Sequence, residues 1–205
     1  PPRSSSAASD VYKRQCFLAP IQIVELGDGQ LMVYQPAEGS ACLNEKNKPA
    51  RLDRLKLSRV LRDLAEGLQS LHASGQTWGR MHPSQLYETE QGYKLGRWGS
   101  WSTEGLEEDP FYVADLAPHP DTAGSGDIAS LGRMAMLLGF GTVTAAKVTA
   151  KSRLDKLILR MAAPSEEQQR PSAEQVTQAI DDWLASKSAV EPVSYTHLTL
   201  PTKNE

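Results

Sequence analysis

Chemistry-bearing side chains concentrate between Trp78 and Trp101, where Arg80, His82, Gln85 and Arg97 alternate with turn-forming residues. A guanidinium stays protonated at any physiological pH. Arg80 therefore cannot accept a proton and Arg97 cannot ligate a cation. The plainest reading pairs both with nearby acids, such as Asp109 or Asp115, or leaves them in solvent, where such pairs contribute about 0–1 kcal/mol. His82 reads as a partly exposed loop histidine. Trp78, Trp98 and Trp101 are expected to pack around these loops, in preference to forming a docking surface or a cofactor cage. Cys16 and Cys42 are too few and too far apart for a metal cluster and read as ordinary thiols in a reducing, cytoplasmic setting.

These residues need elements to hold them. Phe17–Glu25 and Leu31–Gln35 are apolar, partly β-branched runs separated by Gly27-Asp28-Gly29, which predicts an antiparallel hairpin. From Leu52 the period changes. Leu57, Val60, Leu61, Leu64, Leu68 and Leu71 recur at three- and four-residue spacing, predicting a helix with one buried stripe that ends near His72, before Gly75. Gln85–Tyr87 and Tyr93–Leu95 flank Glu90-Gln91-Gly92 as a second hairpin. Residues Gly99–Gly126 lack period and read as a long, organised loop. Ile128, Leu131, Met134, Ala135 and Leu138 then form the apolar face of a helix capped by Asp127 and stopped at Gly139 and Gly141. Two more helices follow, one carrying Leu154, Leu157, Ile158 and Met161. The other carries Val176, Ile180, Trp183 and Leu184, and opens on the capping-box spacing of Ser172–Gln175.

The chain has 205 residues, 40% of them hydrophobic, and a net charge of −3 with acids and bases interspersed. That composition is enough to bury a core, gives no concentrated basic footprint for nucleic acid, and contains no run expected to cross a membrane. The two ends read differently from the middle. Asp10–Gln15 (DVYKRQ) and Val193–His197 (VSYTH) translate one DNA string and its reverse complement, which resembles a transposase adapter used to fragment DNA for sequencing. Residues 1–15 and 193–205 are therefore expected to be adapter-derived and are set aside from fold reasoning.

In the remainder, a series of short motifs resembles the eukaryotic-type protein kinase family. Leu64–Gly75 (LAEGLQSLHASG) looks like the helix leading into the catalytic loop, and Trp78–Gln85 (WGRMHPSQ) stands where the family has H-R-D-L-K-P-x-N. Tyr93–Gly99 (YKLGRWG) stands where it has V-K-L-x-D-F-G, and Leu116–His119 (LAPH) lies near the A-P-E position. Asp127–Gly132 (DIASLG) matches D-x-x-S-x-G, and Arg170-Pro171-Ser172 matches the late R-P-S/T motif. The matches fall in the family's order over roughly residues 17–184. The resemblance implies an α+β, kinase-like fold that is mainly the helical large lobe with two short β-hairpins and a truncated small lobe. Residues 16–40 would be the last small-lobe strands and hinge, 41–184 the large lobe, and 185–192 an exit linker.

The same resemblance implies site residues. Val33 would be the gatekeeper, and Gln35, Pro36 and Ala37 the hinge against which an adenine would pair. Kinases hold metal ions with the D-F-G aspartate and the catalytic-loop asparagine, and another aspartate accepts the substrate's hydroxyl proton. Here Arg80 stands at the base position, Gln85 at the asparagine and Arg97 at the metal-binding aspartate, so no catalytic position is intact and no metal site is expected. His82 replaces a lysine, as in some kinase-like families, and Gly79 replaces the arginine that receives an activation-loop phosphate. Asp127, Gly99 and Arg170 are retained as structural anchors, with Pro83 and Gly132. The usual acidic partner of Arg170 is replaced by His119, with Asp121 as a substitute.

The resemblance thus points to a pseudokinase, a regulatory module that binds a protein partner or a neighbouring domain. ATP binding would be weak or independent of magnesium, with Arg97 offering fixed charge to the phosphates. The competing expectation is a divergent Ser/Thr-type kinase or other ATP-dependent transferase using new carboxylates such as Glu88, Glu90 or Asp109. A third is a sequencing chimera or decayed gene with no selected function.

Overall fold

The leucine stripe that starts at Leu57 forms the longest of the described helices, α1 (Arg54–Ala73), in a computed structural model that describes residues 20–26, 29–34, 40–41, 51–79, 81–89, 92–96, 124–163 and 170–188. Asp53 caps it, its carboxylate accepting the Lys56 N–H at 2.8 Å. Leu57, Val60, Leu61, Leu64, Leu68 and Leu71 are all buried, as their spacing predicts. Helix α2 (Ser125–Phe140) is buried on nearly every side, so it runs through the middle of the helical unit. The helices α3 (Arg153–Ala162) and α4 (Ala173–Ser188) complete the layer. An Arg62 Nε to Asp181 Oδ1 contact of 2.7 Å ties α1 to α4.

Five strands accompany the helices among the described residues. β1 (Pro20–Leu26) and β2 (Gly29–Tyr34) pair antiparallel, with Leu26 opposite Gly29 and a register irregularity between Pro20 and Gln22. The second sheet has the order β3 (Ser40–Ala41), β4 (Leu86–Thr89), β5 (Gly92–Leu95), all antiparallel. Leu86 and Leu95 face each other in register and are both fully buried, which anchors this hairpin to the helical core. The α+β arrangement expected from the sequence is the one observed.

Four local expectations need correction. Strand β3 was not anticipated. Asp127 does not cap α2: the helix begins two residues earlier, Gly124 is its N-cap in the left-handed conformation, and Asp127 sits inside the first turn. Gly139 does not stop that helix, which continues to Phe140 before Gly141 caps it. Residues 185–188, expected as linker, are the last turn of α4. The segment Ser125–Lys147 is also long and apolar enough to cross a membrane by composition, yet half of it is buried. Its helical part, 16 residues, is about 24 Å long at ~1.5 Å per residue, short of a bilayer's ~30 Å core.

Candidate functional site

Helix α1 delivers the chain to residues 76–82, and the N-terminal turn of α2 holds that loop in place through Asp127. Asp127 is 1% exposed and its carboxylate is fully engaged. Oδ1 accepts the Gly79 N–H at 2.6 Å, and Oδ2 accepts the Trp78 N–H at 2.7 Å. His72 Nε2, from the last turn of α1, lies 2.9 Å from Oδ2. The free N–H groups at the start of α2 favour negative charge there as well. One carboxylate therefore joins the end of α1, the loop and the start of α2.

Trp78 and Met81 are both buried in the core, so the loop is pinned on either side of position 80. Gly79 adopts φ of +86°, a left-handed conformation that costs an L side chain about 1–2 kcal/mol. The absence of a side chain at position 79 is thus a backbone requirement of this loop. Trp78 fulfils the expectation of core packing; Trp98 and Trp101 lie outside the described residues.

Past the loop, residues Pro83–Gln85 form one 3-10 turn. Gln85 closes it on itself. Its amide Oε1 accepts the His82 N–H at 2.9 Å, its own N–H donates to the His82 carbonyl at 2.9 Å, and its carbonyl accepts the Gly96 N–H at 2.8 Å. The last contact sets the end of the turn beside the exit of β5, one residue before Arg97 in sequence. His82 is half-buried, in keeping with a loop histidine.

The structure thus brings together Trp78, Gly79, Met81, His82, Gln85, Gly96 and Asp127. Arg80, Arg97 and Gly99 lie outside the described residues, as do the hinge residues Gln35, Pro36 and Ala37. Val33 falls in β2, opposite Gln22. Arg170 donates from Nε to the Ala163 carbonyl at 2.9 Å and from Nη1 to Ser125 Oγ at 3.0 Å, so it braces the start of α2. His119 and Asp121, weighed as its partners, lie outside the described residues. Sequence reasoning missed His72. Its signal was local only, a histidine at the end of a buried helix, and its partner is 55 residues away.

The fold as a whole has counterparts among solved structures. The kinase domain of PknI from Mycobacterium tuberculosis matches with a TM-score of 0.60 and 20% identity, covering 84% of this chain and 75% of that one. A double mutant of that kinase domain matches with a TM-score of 0.61 at 20% identity, covering 88% of this chain and 80% of the other. No protein-family model matches the chain, and no curated protein matches it. The chain has a protein-kinase-like fold.

Proposed function

We propose that this kinase-like domain does not transfer phosphate and acts as a regulatory module that binds a protein partner or a neighbouring domain. The observation that carries this reading is the loop at residues 78–79, whose backbone N–H groups are held by Asp127, in a chain that has arginine at positions 80 and 97. Arg80 has no proton-accepting role to play, and Arg97 repels a cation. The Gln85 amide oxygen, at the position that the resemblance gives to a metal ligand, accepts the His82 N–H. The residues present do not fit a magnesium–nucleotide complex. Nucleotide binding in this domain is accordingly weak and independent of magnesium, resting on fixed arginine charge against phosphate oxygens.

The test is phosphoryl transfer from γ-labelled ATP, with magnesium and with manganese, by the native full-length protein to itself and to a mixed peptide library. No transfer is expected, and any ATP-induced rise in thermal midpoint should survive chelation by EDTA. Metal-dependent transfer that Asp109→Ala abolishes would overturn the proposal and establish a transferase with a relocated carboxylate.

A further inference from the structure

At the far end of α2 from Asp127, the termini of three helices converge. The Leu52 N–H donates to the Leu138 carbonyl at 2.9 Å, joining the start of α1 to the end of α2. The Arg51 guanidinium lies beside Gly141, close enough that a Cβ there would come within 2.8 Å of it. Arg54 Nε is 3.0 Å from Asp155 Oδ1 at the start of α3, and its guanidinium lies 4.3 Å above the Phe140 ring. Asp155 Oδ2 in turn accepts the backbone N–H groups of Lys151 and Ser152 at 2.9 and 3.1 Å. These contacts bring Arg51, Arg54 and the Lys151–Ser152 backbone, with Arg153 next in sequence, to the same end of the helical unit.

The charge at this end is one-sided. Residues 51–60 and 141–156 carry eight Lys and Arg against two Asp, in a chain whose net charge is −3. Both acids are committed, Asp53 to the cap of α1 and Asp155 to Arg54 and the α3 cap. Lys147, Lys151 and Arg153 are exposed, and among the described residues none of their side chains is in an ion pair. Two helix N-termini, of α1 and α3, add partial positive charge, against one C-terminus of opposite sign. Beside Arg54 stands Leu55, 44% exposed, the one large apolar side chain so exposed among the described residues.

We infer that this end of the helical unit docks an acidic protein segment, with carboxylates against Arg51, Lys147, Lys151 and Arg153 and an apolar side chain against Leu55. Charge complementarity selects the occupant. A nucleic acid would call for exposed aromatics to stack bases or a basic groove that tracks a backbone, and Phe140 is covered by Arg54. A single leucine is too little apolar surface to hold a bilayer. The inference rests on the reading of this domain as a protein-binding module, and it specifies where the module binds and what chemistry it recognises.

Fluorescence anisotropy with a labelled peptide of repeated Glu-Glu-Leu triplets tests it on the whole chain. The peptide should bind, its affinity should fall as salt screens the charges, and a Gln-Gln-Leu control should not bind. The triple substitution Lys147→Glu, Lys151→Glu, Arg153→Glu should weaken binding by about tenfold or more with an unchanged thermal midpoint. If charge reversal lowers that midpoint, Gln at the same three positions carries the test. Equal affinity of parent and variant would overturn the inference, as would tighter binding to a single-stranded oligonucleotide or to phosphatidylserine vesicles. A chain that fails to bind the peptide and transfers no phosphate loses this inference alone. A chain that binds the peptide and transfers phosphate keeps the docking surface and loses the reading as an inactive module.

Discussion

At the scale of single residues, Asp127 carries the most weight, because three elements share its one carboxylate. Asp127→Ala leaves the Trp78 and Gly79 N–H groups without their acceptor, and each such loss costs about 1–3 kcal/mol. Urea unfolding should therefore show a loss of about 2–6 kcal/mol. His72→Ala removes one neighbour and leaves the two backbone bonds, so its cost should be nearer ~1 kcal/mol. In the double variant the two effects should not add, since both act on the same carboxylate. A surface residue gives a prediction of opposite sign. Partial burial pushes the Asp63 carboxyl up from its ordinary range, against the pull of Arg62 3.7 Å away. A raised folded-state pKa means that its contribution is fully present below the ordinary carboxylate range and is lost as pH rises through the raised value. Asp63→Asn should accordingly raise the thermal midpoint slightly at neutral pH, and the gain should vanish near about pH 3. The effect is small because the Asp63 side chain remains 47% exposed.

At the scale of elements, α2 and α3 pack closely at Gly132. A Cβ on Gly132 would come within 2.6 Å of the Ala162 backbone nitrogen and 2.7 Å of Met161 Cβ. Gly132→Ala must push the two helices apart, and overpacking of this kind costs about 1–3 kcal/mol, which a lowered denaturant midpoint would reveal. Ser152→Ala removes half of the α3 capping box and should cost about 1 kcal/mol by the same measurement. The helices themselves were legible because each buries a stripe at helical period, and the hairpins because a glycine turn separates two apolar runs. Strand β3 was not, since two residues carry no period and their pairing with β4 spans more than forty positions. Asp127 looked like a cap because an aspartate before an apolar stripe usually is one; the positive φ of Gly124, invisible in a sequence, moved the helix start upstream. At the site, that Arg80 and Arg97 can neither accept a proton nor ligate a cation was plain from residue type alone. The hydrogen bond from the His82 N–H to Gln85 Oε1 and the His72–Asp127 pair were not, because both depend on loop geometry that only the folded chain defines.

For the molecule as a whole, the two sheets should differ in how they share the stability of the core. Helices α1 and α2 close around Leu57, Leu61, Leu64, Leu68, Ile128, Leu131 and Met134, all fully buried, and their amides should open only with global unfolding. β4 and β5 belong to this cooperative unit, because Leu86 and Leu95 insert into the same cluster and the Gly96 N–H is held by Gln85. β1 and β2 form a separate two-stranded sheet, and a lone pair of strands is marginally stable in water. Amide hydrogen exchange should therefore rank the chain in two classes: slow exchange across Leu57–Leu71, Ile128–Leu138 and the β4–β5 pair, and exchange faster by orders of magnitude across Gln22–Val33. Asp127→Ala should then speed exchange at Trp78 and Gly79 and in the helices together, since the carboxylate links them, while leaving β1 and β2 unchanged. Protection of β1 and β2 equal to that of α2 would contradict this division. It would mean that the strand pair draws its stability from the helical core, and that kinase-like folding here is a single cooperative event.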